Sequence, residues 1–86
     1  MTHPKLPDGR EVRITDTVRE RWGDRDAAEL DRLAATLKPA PNPPFTNQRQ
    51  ELTVFACDRP GVYFLADAKV PNRVVLVELR KYAPPP

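Results

Sequence analysis

The scarcity of cysteine and histidine excludes several kinds of site. The 86-residue chain contains one cysteine, Cys57, and one histidine, His3. One cysteine cannot form an internal disulfide, and this pair cannot supply a cysteine-based zinc cage within one chain. We therefore expect no bound metal and no cofactor. Cys57 lies in a strand-like run, where a lone cysteine is typically a small core residue rather than a nucleophile.

Long apolar runs are also missing. No run approaches the ~20 residues that a membrane span requires, and the N-terminus lacks the apolar segment of a secretory signal. We therefore expect a cytoplasmic protein with no membrane interaction. A chain of 86 residues is expected to form a single small domain. Three parts are expected to lie outside its core: a flexible tail at residues 1–9, a proline-rich strap at residues 39–50 and a second tail at residues 83–86.

The charge balance gives little direction on function. Fourteen lysines and arginines face twelve acidic residues, for a formal net charge of +2, and the whole excess lies in the C-terminal half, from Pro39 onward. Such an excess permits nucleic-acid binding without requiring it. Most of the cations are arginine, which favours bidentate contacts to phosphate or carboxylate. A compositional bias of the genome explains this arginine content equally well.

The first third of the chain predicts a strand and a short helix. Alternation of apolar and charged residues predicts a half-buried strand at residues 10–15. Asp16 or Thr17 is expected to cap a helix that ends at Gly23, with the glycine in the left-handed conformation. Trp22 lies at helical spacing from an apolar neighbour, and we interpret it as part of the core.

A second helix is predicted at residues 26–37, followed by the strap. Asp26 begins a capping-box pattern, and Pro39 is expected to stop the helix. Prolines then force an extended path, and Phe45 is expected to anchor the strap on the core. One apolar stripe marks the buried side of the helix: Leu30, Leu33, Ala34 and Leu37.

Residues 51–82 predict a three-stranded antiparallel meander. Runs of β-branched and aromatic residues are separated by proline-containing breaks, and Pro60-Gly61 fits the centre of a type II turn. Alternation places Phe55 and Cys57 on one face, together with Tyr63. We expect this face to meet the N-terminal segment and the strap, or to be left for a partner. The predicted fold is α+β, in the order β-α-α-β-β-β, with a small antiparallel sheet packed on one or two helices.

This order of elements, with the Val62-Tyr63-Phe64-Leu65 strand and a valine-rich last strand ending in Arg80-Lys81-Tyr82, resembles the RelE/ParE-like toxin superfamily of bacterial toxin–antitoxin systems. For RelE-like members the resemblance implies ribosome-dependent cleavage of messenger RNA, and for ParE-like members gyrase inhibition. It also implies an antitoxin partner.

The same resemblance implies which residues act. RNA-cleaving members use arginine, lysine and tyrosine around the concave face and C-terminal end of the sheet, where these side chains stabilise phosphate charge and activate the ribose 2′-hydroxyl. By position, Arg80, Lys81 and Tyr82 are the candidate catalytic residues. Arg59 and Arg73, at turns of the meander, are further candidate RNA-binding residues, and the separate hypothesis of simple nucleic-acid binding adds Arg49. Cations at a strand end are also a common way to protect a sheet edge from aggregation, so this alternative stays open.

Two other functions remain open. One is a non-enzymatic interaction or regulatory module that binds a partner chain through its sheet or its proline strap. The other is simple nucleic-acid binding. The possible partners are therefore an antitoxin or other protein, RNA or the ribosome, and a second copy of the chain in a homodimer. The sequence contains no glycine-rich phosphate loop and no His/Asp/Ser constellation that would decide among them.

Overall fold

The computed structural model describes residues 4–23, 27–40 and 42–82. Within these ranges, two helices and five strands form the fold: β1 (Glu11–Ile14), α1 (Asp16–Trp22), α2 (Ala27–Ala34), β2 (Lys38–Pro39), β3 (Thr53–Ala56), β4 (Val62–Asp67) and β5 (Arg73–Lys81). All five strands belong to one sheet in the order β1-β5-β4-β3-β2. The predicted α+β class is confirmed. No helix in the described ranges has the length and apolar character needed to cross a membrane.

The sheet is mixed, not antiparallel throughout. The predicted meander is confirmed, because β3, β4 and β5 pair antiparallel in chain order. The N-terminal strand β1 pairs in parallel with β5, which corrects the expectation of a purely antiparallel sheet. Alternation reports which face of a strand is buried, but it carries no information on the direction of the neighbouring strand.

The opposite edge of the sheet carries a strand that the sequence did not predict. Lys38 and Pro39 pair with Ala56 and Phe55 of β3, and the Ala40 N–H donates to the Val54 carbonyl at 3.1 Å. Proline cannot donate to a ladder, so an edge position with only one neighbour is where it is tolerated. The first residues of the predicted strap are thus part of the sheet.

The second helix ends earlier than predicted, at Ala34. The Thr36 N–H and hydroxyl both bond to the Leu33 carbonyl, at 2.9 and 2.8 Å, and this tight turn closes the last helical turn. Leu37 is buried as expected, but from an extended segment and not from the helix. The capping residue proposed for this helix, Asp26, lies outside the described residues.

The predicted cap of the first helix is also wrong. Its N-cap is Thr15, whose side chain makes no capping hydrogen bond. The Thr15 hydroxyl donates instead to the Leu76 carbonyl at 2.7 Å, which fastens the β1–α1 junction to β5. Gly23 follows the helix with the expected positive φ of 94°, but its ψ of 171° is extended, so its conformation is not left-handed helical.

The N-terminal segment is attached to the domain from Pro4 onward. The Pro4 carbonyl accepts a hydrogen bond from the Val12 N–H at 2.8 Å, and Leu6 is only 5% exposed. The Gly9 N–H closes the predicted turn by donating to the Leu6 carbonyl at 2.9 Å. The expectation of a flexible tail is therefore wrong for residues 4–9, while residues 1–3, with His3, lie outside the described ranges.

Apolar side chains cover both faces of the sheet. On one face, here called the helix face, Phe55, Cys57 and Phe64 belong to the main core with the two helices. On the other, here called the strap face, a smaller cluster contains partly buried Phe45 and Tyr63 packed against buried side chains: Leu52, Val54 and Leu65. The predicted anchoring by Phe45 is confirmed. The grouping of Tyr63 with Phe55 and Cys57 is wrong, because they lie on opposite faces. The expectation that Phe55 and Cys57 face away from the helices is also wrong, because both pack in the core that the helices share.

A bulge in the β4–β5 ladder changes the alternation of β5. Leu65 pairs with Glu78 and Ala66 pairs with Leu76, so Val77 is an extra residue on β5. Leu79 consequently joins the helix face, where it belongs to the main core, although strict alternation predicts the opposite face. An inserted residue of this kind reverses the facing of every residue beyond it.

Candidate functional site

Two of the candidate cations meet over Trp22 at one end of the sheet. Lys81 ends β5, Arg59 lies in the β3–β4 turn, and Trp22 is the last residue of α1. The Arg59 guanidinium carbon is 5.6 Å from the centroid of the Trp22 ring, and the Lys81 ammonium nitrogen is 5.2 Å from it. Both distances are within the range of cation–π attraction. Three segments far apart in sequence thus converge on one half-buried ring.

The turn that carries Arg59 has the predicted type II chemistry. Gly61 has a φ of 81°, which only glycine adopts without strain, and the Val62 N–H donates to the Arg59 carbonyl at 3.3 Å. From the far side, the Tyr82 N–H donates to the Gly61 carbonyl at 2.6 Å. The end of β5 therefore fixes the position of the turn.

The thiol of the single cysteine contacts the backbone of this turn. The Cys57 thiol lies 3.7 Å from the Arg59 carbonyl and 3.6 Å from the Val62 carbonyl, so it can donate to either. Burial raises the pKa of the Cys57 thiol, and the nearby Arg59 backbone opposes that shift more weakly. The thiol thus stays protonated and acts as a structural donor, and the predicted core position of Cys57 is confirmed.

A cavity of about 400 Å³ opens at this convergence. It is lined by Trp22, Arg59, Pro60, Gly61, Val62, Lys81 and Tyr82. Among the described residues, the side-chain ion pairs use other cations: Arg10, Arg13, Arg19, Arg32, Arg49 and Arg80. Arg59 and Lys81 have no carboxylate of the described chain at ion-pair distance. Neither charge is therefore neutralised by a described ion pair, and the pKa of Glu29 is lowered chiefly by Arg32 and more weakly by Arg59.

Arg80 lies on the other side of the sheet, in an aromatic cluster on the strap face. Its guanidinium carbon is 5.0 Å from the Phe45 centroid, and its Nη2 is 3.4 Å from a Glu78 carboxylate oxygen. The neighbouring Tyr82 hydroxyl, followed by the Glu78 carboxylate, raises the pKa of Arg80. The Phe45 and Tyr82 rings stack at 5.3 Å with an interplanar angle of 7°. Arg80 is thus engaged in holding the strap.

The candidate residues are therefore only partly brought together. Of the proposed catalytic set, Lys81 and Tyr82 line the same cavity as Arg59, and both also line a second cavity together with Arg80. Arg73 begins β5, at the end of the sheet opposite to Lys81. Arg49 precedes β3 near that same opposite end and pairs with Glu51 at 3.3 Å. Neither arginine can contact a small ligand in this cavity.

Trp22 is the participant that the sequence did not reveal. We interpreted it as a core residue, and it does pack against the main core. Its ring is nevertheless only partly buried and forms a wall of the cavity. Helical spacing cannot distinguish these two outcomes, because the contacts that define the site come from residues 37 and 59 positions later.

The chemistry of the lining restricts what the cavity can do. A guanidinium, an ammonium and an indole ring suit a phosphate joined to a flat base. Tyr82 and Lys81 add a phenolic hydroxyl and an ammonium group to this lining. Glu78 lines an adjoining cavity of about 500 Å³ together with both of these residues.

The described part of the chain was also compared with the side-chain arrangements that hold metal ions. Within residues 4–23, 27–40 and 42–82, no group of three or more His, Cys, Asp or Glu side chains is placed to hold a metal ion.

Comparison with known proteins found no family model that matches the chain, and no match to it among curated proteins or solved structures.

Proposed function

We propose that this protein binds single-stranded RNA at the Trp22 cavity, with a backbone phosphate held between Arg59 and Lys81. The observation that carries the proposal is the convergence of these two cations, neither of them paired with a described carboxylate, on one aromatic ring. Arginine supplies bidentate hydrogen bonds to phosphate oxygens, and lysine adds a point charge.

The dimensions of the cavity favour a single strand. A volume of about 400 Å³ can accommodate one nucleotide but is too small for a double helix. An aromatic wall beside cations is the common arrangement of proteins that bind single strands, because every base offers a flat face for stacking. Trp22 and Tyr82 are the rings of this chain that line the cavity.

We further propose that the protein acts on messenger RNA in the cytoplasm as a toxin-like endoribonuclease, controlled by an antitoxin. The support is the resemblance of the last strand to RelE/ParE-like toxins and the position of Lys81 and Tyr82. In this reaction the ribose 2′-oxygen bonds to the adjacent phosphorus and the bond to the 5′-oxygen breaks, which leaves a 2′,3′-cyclic phosphate and a 5′-hydroxyl. The Lys81 ammonium gives a proton to the departing 5′-oxygen, Tyr82 orients the 2′-hydroxyl as its proton passes to solvent water, and Arg59 stabilises the charge that develops on phosphate.

RNA binding can be measured through the intrinsic fluorescence of Trp22, since it is the only tryptophan. We expect a single-stranded oligoribonucleotide to change this fluorescence, and Arg59→Gln or Lys81→Gln to weaken binding about tenfold each. Each substitution should lower the salt slope of log K by about 0.7, the value for one phosphate contact with a single strand.

Lys69→Gln is the matched control. It removes the same charge from the loop between β4 and β5, at the opposite end of the sheet. It should leave the affinity within about twofold of wild type. Equal losses in Lys69→Gln and Lys81→Gln would show that RNA contacts the protein without using this cavity.

Cleavage is tested separately with Tyr82→Phe, which keeps the ring that stacks on Phe45 and removes the hydroxyl. We expect wild-type expression in bacteria to arrest growth with cleaved messengers, and Tyr82→Phe to bind RNA normally while cleaving at least about a hundredfold more slowly. Normal growth and intact messengers with the wild type would reject the ribonuclease and leave the RNA-binding proposal standing.

A non-enzymatic interaction module is the second candidate function. The observation that favours it is the outer edge of β5, which has no neighbouring strand of the described chain after Leu76. The strap is a weaker candidate surface, because Phe45 packs it onto the sheet. Native mass measurement of the protein purified from its source cell separates the two functions, since a stable complex with no RNA would support the module.

A further inference from the structure

The outer edge of β5 is open over its last five residues. The parallel neighbour β1 ends with Ile14 opposite Leu76, and the Leu76 carbonyl is bonded to Thr15. The chain then leaves the sheet as α1, while β5 continues to Lys81. Residues 77–81 therefore have β4 on one side and no strand of the described chain on the other.

The ladder geometry shows which backbone groups face this open side. The Tyr82 N–H donates to the Gly61 carbonyl of the neighbouring turn. Because hydrogen-bonding direction alternates along an antiparallel strand, the backbone of Arg80 also faces β4. The N–H and C=O groups of Leu79 and Lys81 face outward, and no backbone group of the described residues bonds to them.

The other edge of the sheet and the first half of this one are protected. The β2 edge strand has two residues and ends in Pro39, and the β1 edge is covered by the Lys5 bridge to Glu11. Beside the open part of β5, in contrast, a cavity of about 500 Å³ is lined by Thr17 and Arg21 of α1 and by residues 78–82.

We propose that a second copy of this chain adds its own β5 here, antiparallel, about a twofold axis through Leu79. The outward N–H and C=O of Leu79 would exchange two hydrogen bonds with the same groups of Leu79 in the second copy. Every contact of such an interface occurs twice, because it is self-complementary.

The charge sequence selects this register. With the axis at Leu79, Glu78 of each copy lies opposite Arg80 of the other, and opposite charges at facing positions stabilise a strand pair. An axis at Glu78 would place two carboxylates face to face, and an axis at Arg80 would place two guanidiniums face to face. Leu79 is also the midpoint of the open segment, residues 77–81.

The first helix is compatible with the same arrangement. Asp16 is in the first turn of α1 and Arg21 is in its last turn. In such a dimer the α1 helices of the two copies run in opposite directions, so the first turn of one helix lies beside the last turn of the other. The helix dipoles and these side-chain charges then attract across the axis. The interface is short, and we therefore expect a weak dimer.

Sedimentation equilibrium up to about 1 mM protein, the weak end of measurable association, tests the proposal. We expect reversible dimers, with amide exchange at Leu79 and Lys81 slowed as concentration rises. Glu78→Arg places like charges opposite each other twice and should weaken the dimer at least about tenfold. The double variant Glu78→Arg/Arg80→Glu restores two opposite-charge pairs and should recover dimerisation.

The double variant makes the test specific. If Glu78→Arg fails to fold, recovery of the dimer by the double variant still supports the register, and its absence in a folded double variant rejects it. A wild type that stays monomeric rejects the second copy as the occupant. The second copy is also rejected if the Leu79 and Lys81 amides are protected from exchange only when an acidic peptide is added. RNA binding by a dilute monomer has no bearing on this result.

Discussion

Cys57 joins the hydrophobic core to the candidate RNA site. Its thiol donates to backbone carbonyls of the turn that holds Arg59, while its side chain belongs to the main core. Substitution there should therefore affect both the stability of the domain and the position of Arg59, the cation proposed to bind phosphate. A thiol that donates in this way must stay protonated.

This requirement predicts a loss of stability at alkaline pH. Burial raises the pKa of Cys57 in the folded state above the value of about 8.5 for a free thiol. The folded state then holds a proton that the unfolded state releases, so the contribution is complete below pH ~8.5 and falls as pH rises toward the folded pKa. Urea unfolding at pH 7 to 10 should show a shallower decline in Cys57→Ser, which keeps a donor and does not ionise. Parallel declines in the two proteins would contradict the assignment.

The strap is held to the sheet chiefly by its one aromatic residue. Phe45 contacts the rings of Tyr63 and Tyr82, edge-on at 5.8 Å and stacked at 5.3 Å, and it accepts the Arg80 cation on its face. The prolines of the strap remove backbone donors, so few main-chain hydrogen bonds are available to replace these ring contacts.

Phe45→Ala should therefore release the strap. Phe45 is only partly buried, so we expect a loss of about 2 kcal/mol in the free energy of unfolding, less than for a fully buried phenylalanine. Residues 42–50 should also become sensitive to proteolysis. Phe45→Leu keeps the apolar contact without the ring and should lose about half as much. Limited proteolysis with mass spectrometry locates the cuts, and unchanged resistance of the strap in Phe45→Ala would disprove its role.

The elements that the sequence predicted well are those whose signals are local. Alternating apolar residues with the Pro60-Gly61 turn were enough for the meander, because strand pattern and turn chemistry both act over a few residues. The stripe of Leu30 and Leu33 likewise placed the buried side of α2. The end of that helix was not predicted correctly, because the Thr36 hydroxyl bonds to the Leu33 carbonyl and the helix ends at Ala34.

The site was harder to predict because it depends on contacts between distant segments. Arg59, Lys81 and Tyr82 were identified as candidates by their positions at turns and strand ends. The resemblance could not show that Arg80 faces Phe45 and that Lys81 faces Trp22, because the extra residue Val77 lies between the start of β5 and its basic end. No local sequence pattern marks such a bulge. The helical spacing of Trp22 likewise predicted a core residue and gave no sign that two cations lie over its ring.

For the whole molecule, one strand joins two cores. Phe64 belongs to the cluster on the helix face and its neighbour Leu65 to the cluster on the strap face. Both side chains are at most 1% exposed. Either cluster would lose one wall if β4 left the sheet, so neither can unfold while the other stays intact.

We therefore predict a single cooperative unfolding transition. Trp22 fluorescence reports the helix face, and the NMR signal of the Tyr63 ring reports the strap face. Phe64→Ala and Leu65→Ala should each lower stability by about 3 kcal/mol and shift the urea midpoints of both signals together. If Leu65→Ala moves the tyrosine signal alone, the two faces unfold independently.

The bulge at Val77 has an implication for how this protein can change over evolutionary time. The ladder leaves Val77 unpaired, so that Leu76 and Glu78 lie opposite the consecutive residues Ala66 and Leu65. Deleting the Val77 codon would therefore leave a regular ladder, in which Lys81 still meets Trp22 and Arg80 still meets the strap. The bulge thus allows β5 to lose one residue in evolution with no change in the charged side chains that each face presents.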